Sequence, residues 1–295
     1  MSGRPTRTVD PLAVAGLADL IGADDVDTSV GAPLPALWHW AALARWVPLS
    51  ALGPDGHAID DGLPTRRDLP RRMFAGGEVA VLRPLRIGAE VGIERVVEDV
   101  RDTQGRSGPL RFVTVRDTVH DDQGPAVQER LDLVYRAGAG LVAPSPPGAG
   151  VPASPDDGPA GLSSTERASW DFRADAPLLA RFSALTCNSH RIHYDHPYAT
   201  GTEGYAGLVV HGPLLALALA EVARRRGGPL RRVAHRGRSA LVAGQRAHLD
   251  VVDPGADSGQ GCTVEARRPG PTDDPDHAAE PVSTVTAHHH LEETS

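Results

Sequence analysis

The sequence predicts an α+β fold in which two successive halves each combine an antiparallel sheet with one helix. Three observations lead to this prediction: Val-rich stretches separated by short turns, one strongly apolar helical segment, and a Pro- and Gly-rich stretch near the middle of the chain. At 295 residues the chain also suits two domains of ordinary size better than one.

The first half is predicted to contain one short helix and four strands. Apolar residues fall at helical spacing from Pro35 to Trp46, and a proline suits the first turn of a helix. The strand-like stretches are rich in Val, and Gly-bearing or acidic turns separate them. They cover residues 78–85, 90–99, 110–119 and 127–135.

The second half is predicted to surround a buried helix. Residues 138–168 are rich in Pro, Gly, Ser and Ala and are expected to form a linker, which divides the chain into domains at 1–137 and 169–295. The segment 214–226 is apolar almost all round and ends at three Arg and two Gly, as a buried helix does. Three strand-like stretches follow, at 236–252, 261–267 and 282–291. A helix wrapped by a curled antiparallel sheet is a hotdog domain, so we expect two tandem hotdog domains.

The composition excludes several classes of function. There is no Lys, so all 30 basic residues are Arg, which excludes a Lys Schiff base, a pyridoxal-phosphate anchor and a P-loop lysine. A formal charge of −8 argues against general nucleic-acid binding. The two cysteines lack metal-site spacing and suggest a reduced, cytoplasmic protein. No run of 18 apolar residues exists, so no membrane span is expected.

Residues 182–213 contain a cluster of polar and titratable side chains. They contain the only Asn of the chain, three of its four Tyr and four of its thirteen His. The cluster lies between apolar runs that are expected to form the core. Titratable residues held between core segments are typical of an active site.

Two residues of this cluster are the leading candidates for chemistry. His193 suits proton transfer near neutral pH, although it could instead be a core or capping His that Asp195 satisfies. Asn188 can orient a water or an acyl oxygen through its amide, or it can cap the segment that begins at Ser189.

Two further patterns surround this pair. His190, His193 and His196 recur at every third residue, but no Cys or carboxylate follows at a metal-site spacing, so we expect no metal. The sequence His211-Gly212-Pro213 stands at the predicted start of the buried helix. The Gly212 N–H there could form an oxyanion hole, or the segment could only cap the helix.

Two segments resemble the double-hotdog 3-hydroxyacyl-thioester dehydratases, relatives of the MaoC and (R)-specific enoyl-CoA hydratases. They are Phe182-Ser-Ala-Leu-Thr-Cys-Asn-Ser-His-Arg-Ile-His-Tyr-Asp195 and Gly207-Leu-Val-Val-His-Gly-Pro-Leu-Leu215. The likeness is greatest to the mesaconyl-C4-CoA (3-methylfumaryl-CoA) hydratase group. Trp38-His-Trp40, Leu52-Gly-Pro-Asp-Gly-His57 and Pro70-Arg-Arg-Met-Phe-Ala-Gly-Gly77 add weaker similarity to that group's N-terminal domain.

The resemblance implies a hydro-lyase on acyl thioesters that needs no cofactor. The wider hydratase family uses an Asp and a His five residues later, and these positions are Asn188 and His193 here. Because an amide cannot act as a base, His193 would move the proton, with Gly212 as the oxyanion donor. The N-terminal domain would shape the acyl pocket. The residues expected to bind substrate are Arg72, Arg191, Tyr194, Asp195 and His211.

Several alternatives stay open at the level of sequence. The chain could be a hotdog thioesterase with Asp195 or Glu203 as its carboxylate, a dehydratase on a carrier-protein thioester, or a non-catalytic thioester-binding subunit. The expected partner is an acyl-CoA or acyl-carrier thioester, and a homodimer is one possible assembly. The arginines at 224–226 and 231–232 could bind CoA phosphates or only stabilise the end of the helix.

Overall fold

The computed structural model describes residues 6–105, 108–137, 160–165, 169–252, 261–268 and 281–289. Within these ranges one antiparallel sheet of eleven strands runs through both halves. The strands of the first half are β1 (Thr6–Thr8), β2 (Arg71–Val81), β3 (Glu90–Gly105), β4 (Gly108–Asp121) and β5 (Gly124–Arg136). Those of the second half are β6 (Gly161–Ser164), β7 (Trp170–Arg173), β8 (Leu230–Gly237), β9 (Arg246–Val252), β10 (Gly261–Arg267) and β11 (Pro281–His289).

The two halves join in the middle of this sheet. The strand order is β1-β3-β4-β5-β2-β8-β11-β10-β9-β7-β6, so β2 of the first half pairs with β8 of the second. Gly77 lies opposite His235 and Val79 opposite Val233 in this pairing. A side chain at Gly77 would meet the carbonyl oxygen of Arg130 on β5 at 2.1 Å, so only glycine allows the strands to approach this closely.

Four helices accompany the sheet in the described residues: α1 (Pro11–Ile21), α2 (His39–Ala42), α3 (Ala176–Leu185) and α4 (Gly212–Gly227). Asp10 and Asp175 cap α1 and α3, since each side chain accepts a hydrogen bond from a backbone N–H of the first turn. Neither α1 nor α3 is among the elements predicted from the sequence.

The predicted buried helix of the second half is confirmed as α4. Its residues from Leu214 to Ala223 are all buried, and it packs against β8, β9, β10 and β11. Leu214, Leu219 and Val222 are completely inaccessible to solvent. This packing of an apolar helix against a sheet is the core of a hotdog domain.

The helix predicted at 35–46 is much shorter in the structure. Only α2 is helical there, because Leu37 adopts a left-handed backbone with φ of 70° just before it, and Leu43 leaves the helix at its other end. Such a backbone cannot continue a right-handed helix. The first half therefore has no long central helix here, and space remains over the inner face of β3, β4 and β5.

Two other boundaries differ from the sequence prediction. The stretch 236–252 is two strands, β8 and β9, because a turn at Gly244 with φ of 87° separates them. Most of the predicted linker, residues 138–159 and 166–168, lies outside the described residues, and within it Gly161–Ser164 forms β6, which pairs with β7. The domain boundaries themselves stay predictions.

No helix in the described part of the chain is both long enough and apolar enough to cross a membrane.

Candidate active site

His193 is held in one tautomer by the backbone. It ends a short 3-10 turn, Arg191–His193, and its Nδ1 lies 2.7 Å from the carbonyl oxygen of Val209, to which it donates. Burial lowers the pKa of His193 to about 4, although the Val209 hydrogen bond opposes this shift. The ring is therefore neutral near pH 7, and its Nε2 keeps the lone pair that a general base requires.

Four imidazole rings lie in a row through this site. The ring of His193 stacks on that of His211 with centroids 3.6 Å apart, and the centroid of the His190 ring lies 5.5 Å from that of His193 in an edge-to-face arrangement. The ring of His57, from the first half, follows 4.1 Å from His190. His211 is fully buried and its Nε2 lies 2.9 Å from the Ser183 hydroxyl. Burial holds the pKa of His211 well below its ordinary value, so this ring is also neutral.

Asn188 follows α3 and forms a turn with its side chain. Its Oδ1 accepts a hydrogen bond of 3.0 Å from the N–H of His190. The preceding Cys187 has φ of 50°, which directs the chain sharply out of α3. The oxygen of the Asn188 amide is thus engaged locally, and the amide nitrogen carries the two donors that remain for a substrate or water.

Gly212 is the first residue of α4, so its N–H has no partner within the helix. Pro213 follows and contributes no N–H of its own. A side chain at 212 would press on the ring of Phe74 at 3.1 Å. The close packing on Phe74 gives a structural reason for glycine, and the free helix terminus gives a chemical one.

A cavity of about 620 Å³ lies between the two halves. Its wall includes Asn188 and Pro213 from the second half and His57, Arg72 and Phe74 from the first. Of the described residues predicted to act in the site, His193, Gly212, His211, Arg191, Tyr194 and Asp195 are not part of this wall. Gly212 adjoins the wall through Phe74, whereas His193 contacts His190 and His211, which are not part of the wall either.

The other predicted substrate-binding residues have partners within the protein. Arg191 donates to Asp195 at 2.7 Å and to the Pro54 carbonyl oxygen at 2.9 Å, so Asp195 does not orient His193. Tyr194 is half exposed, and its hydroxyl donates to the carbonyl oxygen of Ser189. These side chains hold the loop around the site.

Arg72 lines the cavity and forms an ion pair with Asp61, whose side chain is 18% exposed.

The arginines at the end of α4 are neutralised within the protein. Glu221 is buried, and its Oε1 lies 2.7 Å from Arg224 and 2.6 Å from Arg225. Arg224 also contacts Asp25 at 2.7 Å. These ion pairs favour the structural alternative for residues 224 and 225 over binding of CoA phosphates.

The first half contributes a carboxylate–imidazole pair that was not predicted from the sequence. Asp55 Oδ2 lies 2.9 Å from His57 Nδ1. Burial would raise the pKa of Asp55, but the hydrogen bond and charge of His57 outweigh it and hold the pKa at about 2. The sequence of Leu52–His57 shows only a likeness to a family, because nothing local in it indicates that the segment folds against Ser189 and His190.

The three histidines that recur along the sequence, His190, His193 and His196, do not form the group of potential metal ligands in the structure. Among the described residues, Asp55, His57 and His190 bring potential ligand atoms within 4.8 Å of one another. His196 is exposed and belongs to no such group in the described part of the chain.

The comparisons with known proteins agree with the fold. A model of the hydroxyacyl-thioester dehydratase type 2 family matches residues 37–243. The chain is 44% identical over 213 residues to mesaconyl-C4-CoA hydratase of Chloroflexus aurantiacus, covering 72% of this chain and 70% of that protein. A shorter match, 43% over 56 residues and 19% of each chain, is to the mitochondrial hydroxyacyl-thioester dehydratase type 2 of Schizosaccharomyces pombe.

Solved structures confirm the architecture. HtdX of Mycobacterium tuberculosis superposes with a TM-score of 0.58 at 19% identity, covering 97% of this chain and all of that one. A second M. tuberculosis protein, with a double hotdog fold, has a TM-score of 0.55 at 15% identity over 98% of this chain and 94% of its own. The predicted α+β fold with two hotdog domains is confirmed.

Together, fold and relatives define a hydro-lyase that hydrates enoyl thioesters or dehydrates 3-hydroxyacyl thioesters. The chain belongs to the hydroxyacyl-thioester dehydratase type 2 family.

Proposed function

We propose that this hydro-lyase acts on a short enoyl-CoA whose acyl group carries a second carboxylate, as mesaconyl-C4-CoA does. The identity of 44% to the hydratase of that name supports this substrate class. The cavity between the halves, with Asn188 and the start of α4 on its wall, supports a thioester substrate that lies across both halves.

The proposed mechanism assigns one role to each candidate residue. The Gly212 N–H donates to the thioester carbonyl oxygen, and Asn188 orients the attacking water through its amide. The water oxygen bonds to the β-carbon while the π electrons move onto the thioester as an enolate. His193 Nε2 takes the proton that the water loses and returns it to the α-carbon, so the site ends as it began. The reverse sequence is the dehydration.

The main support for His193 as the base is the environment of its ring. The Val209 carbonyl fixes the proton of His193 on Nδ1, and burial keeps the ring neutral. A ring prepared in this way is a base at neutral pH, and it stacks on His211, the residue that directly precedes the free terminus of α4. The contact of His193 with the residue next to Gly212 supports our pairing of this base with this oxyanion donor.

Arg72 is our candidate partner for the second carboxylate. It lines the cavity, whereas Arg191 is bound to Asp195 and lies outside the cavity wall. A buried carboxylate needs a charged or hydrogen-bonding partner, and in a chain without Lys this falls to Arg or to neutral donors. Asp61 already pairs with Arg72, so the substrate carboxylate would share the guanidinium, which has five N–H donors.

The test of this substrate class compares mesaconyl-C4-CoA with crotonyl-CoA, an uncharged enoyl thioester, in wild type and Arg72→Ala. Loss of a charge partner should cost about 2–5 kcal/mol in kcat/KM for mesaconyl-C4-CoA and little for crotonyl-CoA. Arg66→Ala is the control, because Arg66 pairs with Asp68 outside the cavity wall. A wild type that prefers crotonyl-CoA would contradict the dicarboxylate assignment and leave a general 3-hydroxyacyl-thioester dehydratase.

We also propose a cytoplasmic location and a homodimer. The cysteines Cys187 and Cys262 are both free thiols, as expected in a reducing compartment. Light scattering coupled to gel filtration would measure the assembly, with a mass near twice 31.0 kDa expected.

A further inference from the structure

A ladder of charged residues crosses the inner face of the first-half sheet. Arg95 on β3 lies directly opposite Asp117 on β4, which lies opposite Glu129 on β5. All three line the cavity, and Asp117 and Glu129 are buried. Buried charges are costly unless they are paired, so their presence on a cavity wall calls for a role.

The two carboxylates of this ladder are satisfied by fixed partners. Asp117 accepts two hydrogen bonds from Arg95, at 2.7 and 2.6 Å, in a forked arrangement. Glu129 is bonded to the His39 ring at 3.0 Å and accepts from the Trp40 indole N–H at 2.7 Å. The carboxylates therefore act as anchors for these side chains.

Two more arginines reach the same cavity from distant parts of the sequence. Arg7 comes from β1 and Arg45 from the segment after α2. Arg7 donates to the Leu43 carbonyl oxygen at 3.0 Å, which holds its guanidinium beside that segment. Burial, and then the like charges of Arg45 and Arg95, lower the pKa of Arg7, although Asp117 opposes this shift, so Arg7 is repelled by both other cations.

Arg7 and Arg95 have guanidinium N–H donors that the hydrogen bonds described above do not use. Arg95 uses Nε and Nη2 on Asp117, and Arg7 uses Nη1 on Leu43, whereas each guanidinium carries five N–H groups. Like charges gathered at a cavity are costly in the free protein and are relieved when an anion binds. Arg45 is exposed and Arg95 is 44% exposed in its side chain, so the cluster is open to solvent.

We propose that Arg7, Arg45 and Arg95 form a subsite for an oxyanion of the substrate, either a phosphate of CoA or a carboxylate on the acyl chain. This rests on the proposed function, because it assumes that the thioester occupies the cavity that these residues line. The exposure of Arg45 and Arg95 favours the phosphate. The ladder holds Arg95 in place, and Arg7 and Arg45 complete a set of planar donors suited to such oxygens.

The variant Arg45→Ala tests this subsite with little risk to the fold, since Arg45 is exposed. Arg95→Ala is unsuitable, because it would leave the buried Asp117 without its partner. Arg181→Ala is the matched control: it removes the same charge from a side chain that is 59% exposed and outside the cavity wall. Thermal melting of each variant checks that the fold is intact.

Three substrates separate the possible ligands: crotonyl-CoA, crotonyl-pantetheine, which lacks the nucleotide phosphates, and mesaconyl-pantetheine. We expect Arg45→Ala to raise KM for crotonyl-CoA about threefold or more, with kcat and the crotonyl-pantetheine KM unchanged. A rise confined to mesaconyl-pantetheine would instead identify the acyl carboxylate as the ligand. Equal KM values in wild type and Arg45→Ala for all three, or the same changes in Arg181→Ala, would overturn the subsite.

Direct binding measurements test the subsite independently of the proposed reaction. Calorimetric titration with CoA, pantetheine and mesaconyl-pantetheine measures affinity without turnover. A weaker affinity of Arg45→Ala for CoA but not for pantetheine supports a phosphate site even in a protein that hydrates none of the substrates. Affinities for all three compounds that are unaffected by Arg45→Ala exclude the subsite even in an active hydratase.

Discussion

The substitution Gly56→Ala tests how the first half completes the site. Gly56 lies between Asp55 and His57 and has φ of 91°. A side-chain carbon there would lie 1.8 Å from the carbonyl oxygen of Ser189 and 2.6 Å from its carbonyl carbon. Both atoms belong to the backbone, so one of the two segments must move.

The expected cost has two parts. A left-handed backbone costs a non-glycine residue about 1–2 kcal/mol, and forcing atoms into a packed contact costs about 1–3 kcal/mol more. We therefore expect a loss of about 2–5 kcal/mol in the free energy of unfolding. The moved loop would also lose the bond of 2.9 Å between the Arg191 N–H and the Asp55 carbonyl oxygen. Because His57 and Asn188 lie on either side of this contact, kcat/KM should fall on the order of ten- to hundredfold.

Gly62→Ala is the matched control. Gly62 lies in the same loop and has φ of 76°, but no atom lies within 4 Å of the position that a side chain would take. It should lose only the backbone cost of about 1–2 kcal/mol and keep its activity. Urea unfolding and the rate of enoyl-CoA hydration measure both quantities. Equal effects of the two substitutions would refute the close packing of this loop on Ser189.

Three other perturbations have definite expected outcomes. His193→Ala should lower kcat about 10²–10⁴-fold in the hydration assay with the fold intact by circular dichroism, while the exposed His196→Ala should stay near wild type. Asn188→Asp should keep more kcat than Asn188→Ala, because Asp can still accept from the His190 N–H; equal losses would mean that the amide donors are essential. Burial lowers the pKa of His235 to about 4, below the ordinary value of the unfolded chain, so the unfolded state binds more protons and stability falls as the pH drops from about 6.5 towards 4. His235→Leu removes this titration, so between pH 7 and pH 5 the variant should lose roughly 2 kcal/mol less free energy of unfolding than wild type. Urea unfolding at both pH values measures the difference. An equal loss in the two proteins would contradict the neutral buried ring.

The sequence predicted best where the local pattern determines the structure. The all-round apolar segment 214–226 became α4, and residues 261–267 became β10 with the predicted ends. In both cases the spacing of apolar residues is sufficient to predict the element, because the helix must be buried on all sides and the strand on one face. The turn at Gly244 was missed because the apolar run 240–243 before it and the alternating residues 246–251 after it both resemble strand sequence.

The sequence predicted less where tertiary contacts determine the structure. The apolar spacing from Pro35 to Trp46 suggested a full helix, but the left-handed backbone at Leu37 limits it to one turn. The position of His193 in a polar cluster was evident, whereas its true hydrogen-bond partner, the Val209 carbonyl, lies 16 residues away. Asp55 and His57 reach the site only because the loop folds back over Ser189, which no local pattern shows.

The central claim is that the protein adds water to an enoyl thioester and leaves the thioester bond intact. Its most direct test incubates wild-type protein with mesaconyl-CoA or crotonyl-CoA and follows the enoyl-thioester absorbance and free thiol in the same sample. We predict that the absorbance falls, that no thiol appears, and that His193→Ala slows the change about 10²–10⁴-fold. Release of free CoA in stoichiometric amounts would show a thioesterase instead, and the absence of both changes would contradict catalysis on either thioester.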